Sequence, residues 1–80
     1  MSDALRSRIE VNPQVMVGKP VVRGTRIPVE LILRMLAEGQ PEAEILSEYP
    51  RLEVADIRAV LAYAADVVAN EDIYPLSSGS

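Results

Sequence analysis

Three stretches of the chain repeat apolar residues with the period of an α-helix. The first places Val29, Ile32, Leu33 and Leu36 at i, i+3, i+4 and i+7, which is the spacing of one helical face. Pro28 precedes this stretch and Gly39 follows it, and these residue types favour the start and the end of a helix. The pattern therefore predicts a first helix between them.

A second, shorter helix is predicted over residues 41–49. Pro41 opens it, Pro50 closes it, and its apolar side consists of Ile45, Leu46 and Tyr49. Because two helical turns are marginal on their own in water, this helix must be stabilised by packing on its neighbours.

The third and longest helix is predicted over residues 53–69. Its predicted core stripe consists of Ile57, Val60, Leu61, Ala64, Val67 and Val68. Ala55, Ala59 and Ala62 then gather on the opposite side. This alanine face indicates either a dimer or partner interface, because small side chains permit close approach, or simply the high helix propensity of alanine.

The segment before Pro28 has the short alternating pattern of β-strands. Apolar residues alternate at Ile9 and Val11 and again at Val15 and Val17, and the β-branched pair Val21-Val22 follows. We expect two or three short strands there, preceded by a flexible arm over residues 1–8.

Together these elements predict a mainly α fold, with a three-helix helix-turn-helix core and a short N-terminal β-hairpin or strand region. Residues 41–49 and 53–69 would form the two helices of the motif. They lie within a single domain over residues 9–69, and residues 70–80 form a C-terminal tail. A purely structural three-helix bundle is the alternative, because many small bundles share this order of elements.

The composition excludes several classes of function. The chain has 80 residues, with no cysteine and no histidine, so thiolate chemistry and the usual imidazole ligands are absent. We expect that the protein is not an enzyme and that it binds no cofactor, metal or small-molecule substrate. The sequence contains neither a recognisable set of catalytic residues nor a glycine-rich loop for phosphate binding. A domain of this size buries only about 60% of its unfolded surface, which favours a homodimer. With no membrane-length apolar run or secretory signal, a cytoplasmic location is expected.

Charge is unevenly distributed along the chain, whose formal net charge is −4. Residues 1–40 have six basic and four acidic side chains, whereas residues 41–80 have two basic and eight acidic ones. Contact with nucleic acid is therefore expected from the first half. The acidic half suits a basic partner.

The sequence GKPVVRGTRIPV, residues 18–29, is the clearest candidate for binding. A tight turn at Gly24 would present the guanidinium groups of Arg23 and Arg26, which suit phosphates or carboxylates. The predicted DNA- or phosphate-binding residues are Lys19, Arg23, Thr25, Arg26, Arg51 and Arg58. The alternative is that Arg23 and Arg26 pair with Glu30 or another carboxylate and only stabilise the junction between strand and helix.

The tail sequence NEDIYPL places Ile73, Tyr74 and Leu76 after a charged run. Such a pattern is typical of a segment that docks on a partner, so these three residues join the alanine face as predicted interface residues. The alternative is an extension that folds back on the core of its own chain.

Over residues 9–65 the chain resembles the domain-of-unknown-function 433 family of small bacterial and archaeal proteins. The resemblance rests on Ile9, Asn12-Pro13, Gly18-Lys19-Pro20, the run from Gly24 to Val29, Gly39, Pro41, Glu44-Ile45, Tyr49-Pro50, Asp56-Ile57, Ala59 and the run from Leu61 to Tyr63. It implies a homeodomain-like helix-turn-helix in an antitoxin that binds a PIN-like ribonuclease toxin and operator DNA. The alternative function is a homodimeric interaction module or adaptor that does not bind DNA.

The chain departs from the family pattern at Glu53, where threonine or serine usually caps the third helix. Glutamate caps a helix poorly, and Asp56 is not expected to complete the usual capping box. The sequence therefore predicts that the start of the third helix frays or shifts by a residue.

Overall fold

The computed structural model describes residues 3–14 and 16–70. Within them lie the helices α1 (Asp3–Arg6), α2 (Val29–Ala37), α3 (Glu42–Glu48) and α4 (Val54–Asn70). The strands are β1 (Ile9–Glu10) and β2 (Val21–Val22), with a 3₁₀ turn (Met16–Gly18) between them. The predicted mainly helical fold with a short strand pair is confirmed, and α3 and α4 are the two helices of the predicted motif.

Both α2 and α3 begin directly after a proline. Pro28 and Pro41 have extended backbone, with ψ of 143° and 149°, so each is the residue before the helix rather than its first residue. At the other end of α2, Gly39 has a φ of +87°, which favours glycine. The Gly39 N–H donates to the Leu36 carbonyl and the Gln40 N–H to the Met35 carbonyl, which is the Schellman pattern of helix termination.

The two strands form an antiparallel pair in which Ile9 lies opposite Val22. Strand structure at Val17 was a wrong prediction. Val17 lies in the 3₁₀ turn with a φ of 55° and is 94% exposed, whereas Val15 lies outside the described residues. The Asn12 side chain accepts a hydrogen bond from the Gln14 N–H, and this turn leaves too few residues before Gly18 for a strand.

One hydrophobic core joins the strand pair to α2, α3 and α4. Its largest fully buried side chains are Val21, Val22, Ile32, Ile45, Ile57 and Val60. α1 packs against α4, and Leu5 contacts the edge of the core. The segment predicted as a flexible arm therefore contains a helical turn that packs on the domain.

The face of α4 that enters the core differs from the predicted stripe. The buried residues are Asp56, Ile57, Ala59 and Val60, whereas Leu61, Val67 and Val68 are exposed. At 3.6 residues per turn, this buried face is rotated by about 60° from the predicted one, toward Asp56 and Ala59. Asp56, on this buried face, is also held by an ion pair that is described below.

Candidate nucleic-acid interface

The segment from Val22 to Ile27 is a closed turn that joins β2 to α2. The Val22 N–H donates to the Ile27 carbonyl at 3.0 Å, and Val21 forms a bridge with Pro28. Gly24 has a φ of +80° with open space around its Cα, so glycine is favoured there by backbone conformation and not by crowding. The turn presents Arg23 and Arg26 to solvent, as the sequence predicted.

Thr25 holds this turn together and does not serve as a free donor. Its hydroxyl donates to the Val22 carbonyl at 2.7 Å and accepts from the Ile27 N–H at 3.0 Å. A hydroxyl has one proton to donate, and here the Val22 carbonyl takes it. The prediction that Thr25 donates to a phosphate is wrong for this conformation of the turn.

Lys19 is committed to an ion pair with Glu30. The Lys19 Nζ lies 2.8 Å from one carboxylate oxygen of Glu30, and an Arg34 guanidinium nitrogen lies 3.3 Å from the other. The hydrogen bond from Lys19 lowers the pKa of Glu30 below its ordinary value, helped by the charge of Lys19 and then of Arg34. Glu30, which was the predicted alternative partner of Arg23 and Arg26, is therefore paired with Lys19 and Arg34 instead.

Arg23 uses part of its guanidinium group to position the N-terminal segment. Its Nε donates to the Ser7 carbonyl, and its backbone N–H donates to the Arg8 carbonyl at 2.7 Å. Within residues 3–14 and 16–70, the Arg23 side chain bonds to a backbone carbonyl and not to a carboxylate, which was the alternative prediction. A guanidinium has five N–H donors, so Arg23 keeps donors for a ligand.

The start of α4 is closed by an ion-pair cluster that we call the Arg8 clip, consisting of Arg8, Glu53 and Asp56. One Arg8 guanidinium nitrogen lies 2.9 Å from the Glu53 carboxylate and 3.0 Å from the Asp56 carboxylate. The hydrogen bonds to Glu53 and then to Asp56 raise the pKa of Arg8. Among the described residues, Asp56 is the one charged side chain that is buried, at 6% exposure.

Asp56 also caps α4, which corrects the expectation for this helix end. Its second carboxylate oxygen accepts from the Glu53 backbone N–H at 2.8 Å, which is the return half of a capping box. The side chain of Glu53 is thereby left to bind Arg8. α4 starts at Val54, directly after Glu53, without the predicted fraying.

Arg51 lies between two shallow clefts on the same side of the molecule. The lining of one cleft includes Arg51, Arg26 and Glu10. The lining of the other includes Arg51 and Arg23 together with the three residues of the Arg8 clip. Arg51 also donates to the Gly24 carbonyl at 3.3 Å. We call the surface formed by Arg23, Arg26 and Arg51 the arginine face, and it unites residues that lie far apart in sequence.

Arg58 is exposed on α4 and lines neither cleft, so the structure does not bring it into the arginine face. In the part of the chain that the structure describes, the side chains of Arg26 and Arg58 have no hydrogen-bond or ion-pair partner. Both remain available to an external anion.

The sequence did not reveal Arg8 or the pairing role of Asp56. Arg8 stood in the predicted arm, and its partners are 45 and 48 positions away. A pattern of neighbouring residues in the sequence cannot predict a contact between residues so far apart. The spacing of three residues between Glu53 and Asp56 was the one available signal, because it matches a capping box.

Of the predicted interface residues, Ala59 is placed wrongly. It is fully buried in the core of its own chain, so it cannot contact a partner in the folded state. Ala55 and Ala62 are half-buried. Ile73, Tyr74 and Leu76 lie outside the described residues.

Residues 3–14 and 16–70 hold no group of three or more acidic side chains placed to bind a metal ion. Within the same residues, each helix is too short or too polar to cross a bilayer.

The chain matches the family model described as a protein of unknown function, DUF433, over residues 9–64. It therefore belongs to the DUF433 family. The resemblance inferred from the sequence motifs is confirmed.

Similar proteins include an uncharacterized protein, y4eO, of Sinorhizobium fredii, which is 36% identical over 61 residues. The match covers 76% of this chain and 28% of that protein. An uncharacterized protein of Archaeoglobus fulgidus is 57% identical over 28 residues, which are 35% of this chain and 78% of that protein. This chain thus spans less than a third of the length of the Sinorhizobium relative.

A solved structure has the same fold. It is the crystal structure of a DUF433 member protein from Anabaena variabilis, with a TM-score of 0.74 and 32% sequence identity. The similarity covers 82% of this chain and 65% of that one.

Proposed function

We propose that this chain is an antitoxin of a type II toxin–antitoxin pair, which acts in the cytoplasm and binds a PIN-like ribonuclease toxin and operator DNA. The observation that carries the DNA-binding part is the arginine face beside the start of α4, the second helix of the helix-turn-helix. Membership of the DUF433 family supports the antitoxin part. In this proposal the chain binds macromolecules and catalyses no reaction.

The Arg8 clip reduces the main electrostatic objection to DNA binding, although its one guanidinium group faces two carboxylates. Glu53 and Asp56 in the first turn of a recognition helix would repel phosphates if they projected freely. Instead Asp56 is buried, and both carboxylates are paired with Arg8. Arg26, Arg51 and the remaining donors of Arg23 are then the groups on this surface that can bind an anion, although Glu10 and Glu53 line the same clefts.

This arrangement supports phosphate contacts more than base readout. Arginines on a turn and at a helix start suit the DNA backbone, which fixes the orientation of the protein without reading sequence. In this proposal Arg26 and Arg51 bind phosphates, Arg23 assists, and Arg58 contacts the duplex from α4. Lys19 and Thr25 leave the proposed set because of their internal contacts.

The DNA-binding part is tested by fluorescence anisotropy with the DNA upstream of the chain's own gene, over a range of salt concentrations. Arg26→Ala and Arg51→Ala should each weaken binding to all sequences alike and reduce the salt slope by about 1, as expected for one lost phosphate contact. Arg34→Ala is the matched control, because Arg34 is an exposed arginine that binds Glu30 on α2. Equal effects of all three substitutions, or no binding at low salt, would refute this part.

The antitoxin part is tested with the product of the neighbouring gene. Co-expression should relieve the growth arrest caused by that product, and the two proteins should co-purify. A neighbouring gene that encodes no ribonuclease, or a ribonuclease that this chain neither binds nor inhibits, would contradict the proposal.

The second candidate is a homodimeric interaction module or adaptor that does not bind DNA. The observation that favours it is the exposed apolar surface on the part of α4 that follows Val60, where Leu61, Val67 and Val68 are between 43% and 60% exposed. Exposed apolar patches mark interaction sites. A dimer in analytical ultracentrifugation, together with no salt-dependent DNA binding, would favour this candidate.

A further inference from the structure

An apolar groove lies between α2 and the second half of α4. It has a volume of about 260 Å³, and its lining includes Val29 and Leu33 of α2 with Tyr63, Ala64, Val67 and Val68 of α4. Val67 is 43% exposed and Val68 is 60% exposed. No segment within residues 3–14 and 16–70 covers these side chains.

The groove has the properties of a docking site. Covering exposed apolar side chains stabilises a contact, and Val67 and Val68 are open to solvent here. Its lining is almost entirely apolar, with Glu30 at the rim. The occupant should therefore be an apolar segment.

The sequence supplies such a segment directly beside the groove. Asn70 is two residues beyond Val68, and the following residues include Ile73, Tyr74 and Leu76. We propose that residues 73–76 fold back along α4 and fill the groove of their own chain. This inference does not depend on the proposed function.

The distances permit this contact. Along a helix, Val67 lies about 4.5 Å before Asn70 and Tyr63 about 10 Å before it. The six residues from Glu71 to Leu76 span up to roughly 20 Å when extended. The tail can therefore reverse direction and still reach the length of the groove.

The residues at the turn favour such a reversal. The Asn70 side-chain amide donates to the Asp66 carbonyl at 2.8 Å, which satisfies a carbonyl group in the last described turn of α4. Pro75 is strongly unfavourable inside a helix, so residues 73–76 are unsuited to extend α4.

The tail is a better occupant than a second copy of the chain. A short tether gives its free end a local concentration in the millimolar range, which exceeds that of a second molecule in dilute solution.

NMR spectroscopy of the full-length chain tests the proposal. We expect nuclear Overhauser contacts between the Tyr74 ring and the methyl groups of Leu33 and Val67. Ile73→Asp with Leu76→Asp should abolish these contacts and shift the Val67 methyl resonances. The methyl resonances of Leu61, which is on α4 but outside the groove, should not move.

A control double variant, Ser78→Asp with Ser80→Asp, adds the same charge beyond the proposed contact and should leave the spectra of the groove unchanged. Tail residues with random-coil shifts and no contacts to the groove would overturn the proposal. Contacts that appear only between differently labelled molecules in a mixed sample would also overturn it, because they would assign the groove to a second copy.

Discussion

The two halves of α4 are similarly apolar in sequence but differ in their surroundings. The first half places Asp56, Ile57, Ala59 and Val60 in the core, and its start is held by the Arg8 clip. Beyond Val60, by contrast, Leu61, Val67 and Val68 are exposed. The difference teaches that helical periodicity identifies an apolar face, whereas the neighbours of a helix decide which part of that face is buried.

The largest effect is expected from a charge placed in the buried half. Ala59→Glu puts a carboxylate into the core with no partner, which should cost about 4 kcal/mol or more. Since small domains are marginally stable, we expect the variant to be largely unfolded by circular dichroism. Ala65→Glu, at an exposed site on the same helix, should remain folded. A folded Ala59→Glu variant would show that this half of α4 is not core.

Truncation of one apolar side chain in each half makes the comparison quantitative. Ile57→Ala removes a fully buried side chain and should cost about 2–5 kcal/mol in urea unfolding. Leu61→Ala should cost less than about 1 kcal/mol, because Leu61 is 46% exposed. Similar costs for the two variants would mean that Leu61 is covered in solution, as it would be in a dimer.

The Arg8 clip is tested by substituting its buried carboxylate. Asp56→Ala removes the partner of Arg8 and the acceptor of the Glu53 N–H, and should destabilise the chain by about 1–3 kcal/mol. Glu53→Ala should have a smaller effect, because the Glu53 side chain is 69% exposed. If the two variants unfold at the same urea concentration, Asp56 does not hold the start of α4.

The smallest effect is expected at Glu30, an exposed residue of α2 that takes no part in the Arg8 clip. Because its pKa is lowered in the folded state, Glu30 contributes stability at neutral pH that is lost as the pH falls through that lowered pKa. In Glu30→Gln this part of the acid destabilisation should disappear from unfolding curves measured across the acidic range. Lys19→Met should give a similar profile, and an unchanged profile in both variants would contradict the assignment.

Much of the fold could be predicted because its signals are local. Pro28, Gly39, Pro41 and Pro50 bracket α2 and α3 in the sequence, and each acts on the residues beside it. Apolar spacing alone placed the long helix to within a residue at either end. Val17 shows the limit of such signals, since its alternation with Val15 was not accompanied by burial.

The candidate site could be predicted only in part, because some of the residues that contact one another there are far apart in sequence. The turn at Gly24 and the exposure of Arg23 and Arg26 follow from neighbouring residues. The ion pairs Lys19–Glu30 and Arg8–Asp56 depend on which charged groups the folded chain brings together. Neighbouring residues in the sequence do not specify them. The face of α4 that is buried likewise depends on the elements that pack against it, namely α1, α2, α3 and β1.

The Arg8 clip also has a consequence for the order in which the chain acquires its structure. Its contact with Asp56 joins residues 48 positions apart, and such long-range contacts form late and slow down folding. During synthesis, residues 3–8 leave the ribosome well before α4 has been made. Residues 3–8 should therefore settle only after α4 has been made, and this part of the nascent chain should become resistant to proteases only when the start of α4 is free of the exit tunnel.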